Sequence, residues 1–359
     1  MVLSFLLCNN EKRPKTQPKD LAVKLLPEGR RGWLLISLRI TLVLALMLFF
    51  VVFTTSMPGK SYAGAFAPLS PEEKLLSANL KSHVETLAGT IGERNLIRYK
   101  SLEEGAEYLE KSFSSDGYSV SSQEYTVEGK AVRNLVVEIP GSSRRSEIVV
   151  VGAHYDTVFD CPGADDNTSG TAALLELARL LKATHPARTV RFVAFVNEEP
   201  PYFQTVKMGS WMYAKKAHAA HDNIVAALSL ETVGMYLDAT DSQHYPAGFS
   251  LLYPSQGNFI AFVGNVASRG LVRDTIRSFR RSTSFPSQGS AVPGWIAGVG
   301  WSDHWSFWQE GYPAVMVTDT ALFRNPHYHE PSDQPETLDY YRMARVVRGL
   351  ATVVLDLGK

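Results

Sequence analysis

Cysteine is nearly missing from this 359-residue chain. Only Cys8 and Cys161 occur, in very different segments, so a framework of disulfides is excluded by arithmetic. Internal repeats and a second core are also missing. Net charge is lacking too, because 36 Lys and Arg balance 36 Asp and Glu. That zero hides a division. Residues 1–60 hold nine of the basic residues and three of the acidic ones, which leaves the rest of the chain with an excess of six acids. The excess of basic residues lies off the acidic body, so no nucleic-acid partner is expected. Long hydrophobic runs are scarce as well, with one exception.

The exception is residues 33–53, WLLISLRITLVLALMLFFVVF, broken by the single charge of Arg39. As a helix it reaches roughly 30 Å, the thickness of a bilayer core. Arg39 lies near its N-terminal end, where a long side chain can snorkel to the interface. The basic residues ahead of the run predict a cytoplasmic N-terminus and an exported body. The expected division is a basic cytoplasmic arm over 1–32, a transmembrane signal anchor over 33–53, a Pro/Gly/Ser/Ala linker over 54–70 and a folded domain over 71–359. The alternative is a cleaved signal peptide and a secreted body. Ser61-Tyr62-Ala63 and Ala63-Gly64-Ala65 have the small-x-small pattern of a cleavage site. The long leader favours the anchor.

The body opens with Ser70-Pro71-Glu72-Glu73, a helix start with a serine cap, proline in the first turn and acids at the positive dipole end. A second amphipathic helix is predicted over 101–114, closed by Asp116-Gly117. Strands are predicted over 120–127, 132–139, 147–152, 189–196, 224–231, 249–253, 259–263 and 313–318. Helices are predicted over 169–183, 208–220, 264–280, 302–310 and 337–356. The runs at 147–152, 189–196, 224–231 and 313–318 are continuously apolar rather than alternating, the mark of strands covered on both faces. The expected fold is α/β: a single globular domain with a central, mainly parallel mixed sheet flanked by helices, preceded by one N-terminal transmembrane helix. In such sheets ligands bind at the carboxyl ends of strands.

The chemistry-bearing residues fall at those ends. Gly152-Ala153-His154-Tyr155-Asp156 follows the Val149–Val151 run, and Pro162-Gly163-Ala164-Asp165-Asp166-Asn167-Thr168-Ser169-Gly170 precedes a helix. Asp156 is placed to accept the second ring N–H of His154, as the partners of metal-bound histidines do. Adjacent Asp165 and Asp166 repel unless a cation is near, whereas a helix cap needs only one acid. Glu198 and Glu199 follow a buried strand, and in extended backbone they point opposite ways. Glu231 ends an apolar strand and needs a partner or a metal there. His327 and His329 alternate, and the residues themselves do not choose between them. An imidazole, paired acids, another acid and a last imidazole form a ligand set for two Zn²⁺ sharing a carboxylate. Asn167-Thr168-Ser169 matches a glycosylation sequon by chance.

Taken in order, Gly-Ala-His154-Tyr-Asp156, Gly-Ala-Asp-Asp166-Asn-Thr-Ser-Gly, Asn-Glu198-Glu199, Leu-Ser-Leu-Glu231, Ser302-Asp303-His304 and Tyr328-His329-Glu-Pro-Ser-Asp333 resemble the M28 family of zinc aminopeptidases over about residues 70–357. The resemblance implies the zinc-exopeptidase, phosphorylase/hydrolase-like fold and two Zn²⁺ per chain. It implies that Asp166 bridges the zincs through a segment whose bond to Asn167 is often cis in the family. Glu199 and His329 complete one site, and His154 and Glu231 the other. His329 is preferred to His327 because the family ligand precedes a downstream acid, here Asp333. Glu198 is implied as general base and Asp156 as the residue orienting His154. Asp303, His304, Tyr202 and Trp301 are expected around the substrate. Many relatives have aspartate at the position of Glu231, and Pro200 to Thr205 forms an insertion beside the site.

The expected activity is removal of N-terminal amino acids from peptides, with an apolar pocket for the first residue. The region rich in Trp295, Trp301, Trp305, Trp308, Tyr312, Phe323 and Tyr328 is expected to supply that pocket. Two other readings stand: a glutaminyl cyclase-like acyltransferase with one zinc, and a receptor or binding ectodomain without activity. Cys161 is expected to be a free thiol. The oligomeric state is not legible.

Overall fold

The computed structural model describes residues 29–359, so the basic arm falls almost entirely outside the described residues. The elements run α1 (Gly29–Thr55), α2 (Pro71–Val84), α3 (Tyr99–Ser115), β1 (Ser121–Val127), β2 (Lys130–Ile139), β3 (Arg144–His154), α4 (Gly170–Leu181), β4 (Arg188–Phe195), α5 (Gly209–Ala219), β5 (Asn223–Glu231), β6 (Ile260–Gly264), α6 (Arg269–Ser282), β7 (Ser287–Ala291), α7 (His304–Gln309), β8 (Ala314–Thr318) and α8 (Tyr340–Leu357). The chain divides between Val51 and Val52 into two units. Taken alone, α1 is the one described helix long and apolar enough to cross a membrane.

The second unit is built on an eight-stranded sheet in the order β1-β2-β4-β3-β5-β8-β6-β7. Its centre is parallel: β3 pairs in parallel with β4 and β5, and β5 with β8. Antiparallel pairs join β1 to β2, β2 to β4 and β6 to β8. The apolar runs form the central strands, which are buried apart from Arg191, Val225 and the N-terminal ends of β3, β4 and β5. One face packs against α2, α3, α4, α6 and α8 in a core that includes Leu80, Leu109, Leu174, Phe192, Val346, Val347 and Leu350, all fully buried. The other face holds a smaller cluster of Ile148, Val150, Phe195, Tyr213 and Phe307. The sheet is therefore covered on both sides, as its strand composition requires.

The α2 start carries the full capping box: Ser70 Oγ accepts the Glu73 N–H, and the Glu73 carboxylate accepts the Ser70 N–H in return. Two elements depart from expectation. Residues 249–253 are not a strand; Phe249–Leu251 forms one 3₁₀ turn after Gly248 at φ 87°. Phe249 and Tyr245 both stack on Tyr253, so the apolar residues cluster among themselves instead of joining the sheet. Conversely, Ser287–Ala291 is a strand despite its sequence SQGSA, held by parallel pairing to β6. α6 begins at Arg269, later than expected, because residues 264–268 leave β6 through a turn.

Candidate metal centre

His154 and Glu231 are the last residues of β3 and β5. Glu198 and Glu199 occupy the turn after β4, Asp166 the irregular turn Ala164–Ser169 before α4, and His329 the segment between β8 and α8. The topology thus collects these residues at the carboxyl ends of adjacent parallel strands. The local backbone is demanding there. Asn197, Thr232 and His329 have φ of 59°, 49° and 61°, and a β-branched Thr232 at positive φ is strained. The Asp166–Asn167 peptide is cis. Gly163, at φ 65°, precedes this turn; a Cβ on it would lie 2.3 Å from Asp166 O, so no side chain fits.

Asp166 lies between two pairs of groups. Its Oδ1 is 3.3 Å from His154 Nε2, which is 3.3 Å from Glu231 Oε2. Its Oδ2 is 3.1 Å from His329 Nε2, which is 3.4 Å from Glu199 Oε2. Around a tetrahedral zinc with ligand bonds near 2.1 Å, ligand atoms stand about 3.4 Å apart. Each imidazole nitrogen therefore stands at that spacing from two carboxylate oxygens. His154, Asp166 and Glu199 can also place ligand atoms within 4.8 Å of one another. No hydrogen bond satisfies His154 Nε2, His329 Nε2, Asp166 Oδ1 or Glu199 Oε1, although all are buried atoms.

Charge leads to the same requirement. Burial lifts the Glu198 and Glu199 carboxyls well above their ordinary values and raises Glu231. Burial opposes charge on His154 too, but the Glu231 and Glu198 carboxylates outweigh it and raise the imidazole well above its usual value. Burial also works against the Asp166 carboxylate, which His154 and His329 nonetheless hold low. Among the described residues only imidazoles, and no Lys or Arg, lie within ion-pair distance of these four acids. Buried acids in that excess call for added positive charge.

Surrounding groups fix the positions. Asp156 Oδ1 and Oδ2 accept the backbone N–H groups of Glu198 and Glu199, each at 3.1 Å. His154 Nδ1 lies 3.2 Å from the Asp156 carbonyl and 3.6 Å from its carboxylate, so the main-chain oxygen is the nearer acceptor. Ser302 Oγ donates to Glu231 Oε2 at 2.6 Å. Asp333 accepts the N–H groups of Asp165 and Asp166. The repulsion expected between Asp165 and Asp166 is relieved by direction: Asp165 turns away to accept from Gly234 N–H at 3.0 Å and Asn325 Nδ2 at 2.8 Å. Asn167 is fully buried and donates to Leu230 O, which leaves the sequon inaccessible. Cys161 is a buried free thiol that donates to Glu330 O.

Sequence reasoning missed Arg94. It is fully buried and donates to the carbonyls of Tyr155, Leu87, Gly92 and Pro162 and to Thr168 Oγ1. It ties together the loops that carry Asp156 and Asp166. Burial pulls its guanidinium down to about 10, still charged at neutral pH. A lone arginine in a polar stretch gives no signal of this role. Arg94→Met is expected to remove at least about 3 kcal/mol of stability, because several buried carbonyls lose their donor. A denaturation midpoint equal to wild type would refute this clamp.

A cavity of about 870 Å³ opens beside Glu231. Phe249, Tyr253, Phe259, Trp301, Phe323 and Tyr328 are among the side chains lining it. Of the four residues expected around substrate, Trp301 lines this cavity. Asp303 and His304 are fully buried, and His304 Nε2 donates to Val299 O at 2.7 Å, bracing the loop ahead of Trp301. Burial pulls His304 down to about 4, so it is neutral. Tyr202 sits in the turn after Glu199, with Lys207 over its ring. His327 is directed away from the cluster, its Nδ1 2.9 Å from Ser332 Oγ.

A mixed sheet covered on both faces, with a buried His/Asp/Glu cluster compatible with a metal at the ends of its parallel strands, has the layout of an α/β enzyme site. Residues 134–354 match peptidase family M28, and the chain belongs to that family and is an enzyme of the peptidase class. It is 36% identical to the uncharacterized protein YfbL of Escherichia coli K12 over 296 residues, covering 80% of this chain and 88% of that one. It is 26% identical to a probable leucine aminopeptidase 1 of Trichophyton verrucosum, covering 64% of this chain and 59% of that one. Among solved structures, BSAP, a zinc aminopeptidase from Bacillus subtilis, superposes with TM-score 0.64 at 16% identity, covering 79% of this chain and 95% of that one. A glutaminyl cyclase from Fimbriiglobus ruber superposes with TM-score 0.58 at 22% identity, covering 84% and 99%.

Proposed function

We propose that this chain is a dinuclear zinc aminopeptidase that removes apolar N-terminal residues from peptides. The observation that carries the proposal is the division of the Asp166 carboxylate, one oxygen toward His154 and Glu231, the other toward His329 and Glu199. These five residues would hold two Zn²⁺. Zinc there supplies Lewis-acid activation of a water and of the substrate carbonyl. Glu198, its Oε2 3.8 Å from His154 Nε2, takes the proton of the attacking water and passes it to the leaving amine. Its raised affinity for a proton, caused first by burial, suits a group that must both accept and donate. Asp156 fixes the main chain of Glu198 and Glu199 together, so base and ligand keep one relative position. The cavity beside Glu231, lined mainly by apolar and aromatic side chains, takes the first side chain.

The membrane part of the proposal is a single-pass anchor with the N-terminus in the cytoplasm and the peptidase exported. The packing of the linker supports it over cleavage. Ser61 Oγ accepts the Ser287 N–H, the Met57 side chain lies against Gly289, and Phe66 stacks on Phe285 at 5.6 Å. Cleavage after Ala63 would remove the first two of these contacts, and cleavage after Ala65 would leave Phe66 at a free end.

The second reading, a cyclase with one zinc, has the fold likeness to a glutaminyl cyclase in its favour. One sample decides between them: the full chain in detergent, assayed on aminoacyl-p-nitroanilides with chelator and zinc add-back, and counted for metal. The proposal expects chelator-sensitive release, Leu and Phe ahead of Lys and Asp, and about two zincs per chain. One zinc with turnover of an N-terminal glutaminyl peptide would establish the cyclase. A metal-free, inactive chain would establish a binding ectodomain.

A further inference from the structure

α6 differs from the rest of the body in charge. Arg269, Arg273, Arg277, Arg280 and Arg281 stand against the single acid Asp274, within a body that carries an excess of acids. Arg269, Arg273 and Arg277 recur at i, i+4 and i+8 and so form one stripe. Arg277 pairs with Asp274 at 2.5 Å and Arg281 with Asp356 at 3.1 Å. Among the described residues no carboxylate lies within ion-pair distance of Arg269, Arg273 or exposed Lys60. Instead Arg269 donates to Phe53 O, Arg273 to Ser56 O, and Arg280 to Pro58 O and Gly59 O. The segment that leaves the apolar helix is thus tied along α6. Lys60, Tyr62, Arg280 and Arg281 also border a cleft of about 550 Å³. Lys60 is the fifth residue beyond Thr55, so chain length alone holds it within about 18 Å of the helix end.

We propose that this face, the α6 arginine stripe with Lys60, binds the phosphates of anionic phospholipids on the membrane the apolar helix enters, and so holds the catalytic body against that surface. The inference rests on the anchor reading above. Cations without acid partners, next to the end of an apolar helix, require counter-ions; lipid phosphates supply them within a Debye length of the surface. The competing account is that the arginines serve only to tie down the linker. Lys60, Arg277 and Arg281 separate the two accounts, because none of them donates to the 53–59 backbone among the bonds of the described residues.

The test uses the full chain with Cys8→Ser and Gly270→Cys, labelled at 270 with an environment-sensitive fluorophore. Gly270 is exposed, with no atom within 4 Å of a Cβ built there. The labelled protein is reconstituted into vesicles of phosphatidylcholine alone or with added phosphatidylglycerol, and flotation is scored. The expected result is flotation with both, but a blue shift and quenching by spin-labelled lipid only with phosphatidylglycerol. High salt should reverse the signal, and Lys60→Gln/Arg277→Gln/Arg281→Gln should weaken it, with Arg269 and Arg273 left in place to tie the linker. The triple variant should keep full peptidase activity in detergent, which shows that it folds. Flotation with equal signal in both lipids, or an unchanged signal in the active triple variant, overturns the lipid surface while leaving the anchor intact. Failure to float with either lipid removes the anchor reading, and this proposal with it.

Discussion

Glu198→Gln is expected to lower kcat by about 10²- to 10⁴-fold, with zinc content unchanged. The substitution keeps shape and volume but removes the ability to accept a proton. Its backbone N–H stays bound to Asp156 Oδ1, so the turn that carries it should not move. Glu198 is 6% exposed and stands nearest His154, whereas neighbouring Glu199 faces His329. Loss of the base alone therefore leaves both triads complete. The corresponding barrier increase is about 3 to 5 kcal/mol, and it should fall on kcat rather than KM, because proton transfer belongs to the transition state. Paired measurement of kcat and bound zinc checks this. Activity within threefold of wild type would remove Glu198 as base, and loss of zinc would reassign it as a ligand.

The parts of this fold legible in the sequence are those where one physical demand dominates. A strand stretch buried on both faces must be largely apolar, and the buried stretches of β3, β5 and β8 show that pattern, while β4 is interrupted by Arg191, which pairs with Glu138 and Asp222. β7 was illegible because SQGSA has no apolar face, and pairing with β6 holds it. Residues 249–253 misled for the opposite reason: their aromatic residues satisfy one another in a loop. At the site, His154, Glu198, Glu199 and Glu231 stood out in the sequence because an acid or imidazole at the end of an apolar run is costly without a partner. The supports were less so. Arg94, Ser302 and Asn325 act through bonds to residues distant in sequence, and such pairings have no local period. The choice between His327 and His329 likewise depends on a turn, with φ of 61° at His329, that alternation along a strand does not foresee.

Asp166→Asn is expected to abolish measurable turnover and to take zinc content from about two per chain to one or none. An amide keeps one oxygen and presents an N–H₂ where the second oxygen stood. Asp166 Oδ1 and Oδ2 face separate imidazoles at 3.3 and 3.1 Å, so whichever way the amide turns, one triad receives a donor in place of a ligand. Loss of the negative charge weakens the other triad as well, since a neutral oxygen is a poorer ligand for a divalent cation. The fold should persist. The Asp166 N–H is held by Asp333, Arg94 clamps Thr168, and neither bond involves the Asp166 side chain. The contrast with His329→Ala sharpens the test: that change strips one triad and should leave one zinc bound through His154, Asp166 and Glu231. Metal counting on both variants, alongside circular dichroism to confirm folding, reads the difference. If Asp166→Asn retained two zincs, the carboxylate would not bridge them, and the division of its oxygens between the triads would be coincidental. If His329→Ala lost both, the two sites would be filled as a single cooperative unit, with Asp166 holding its position only when both cations are present.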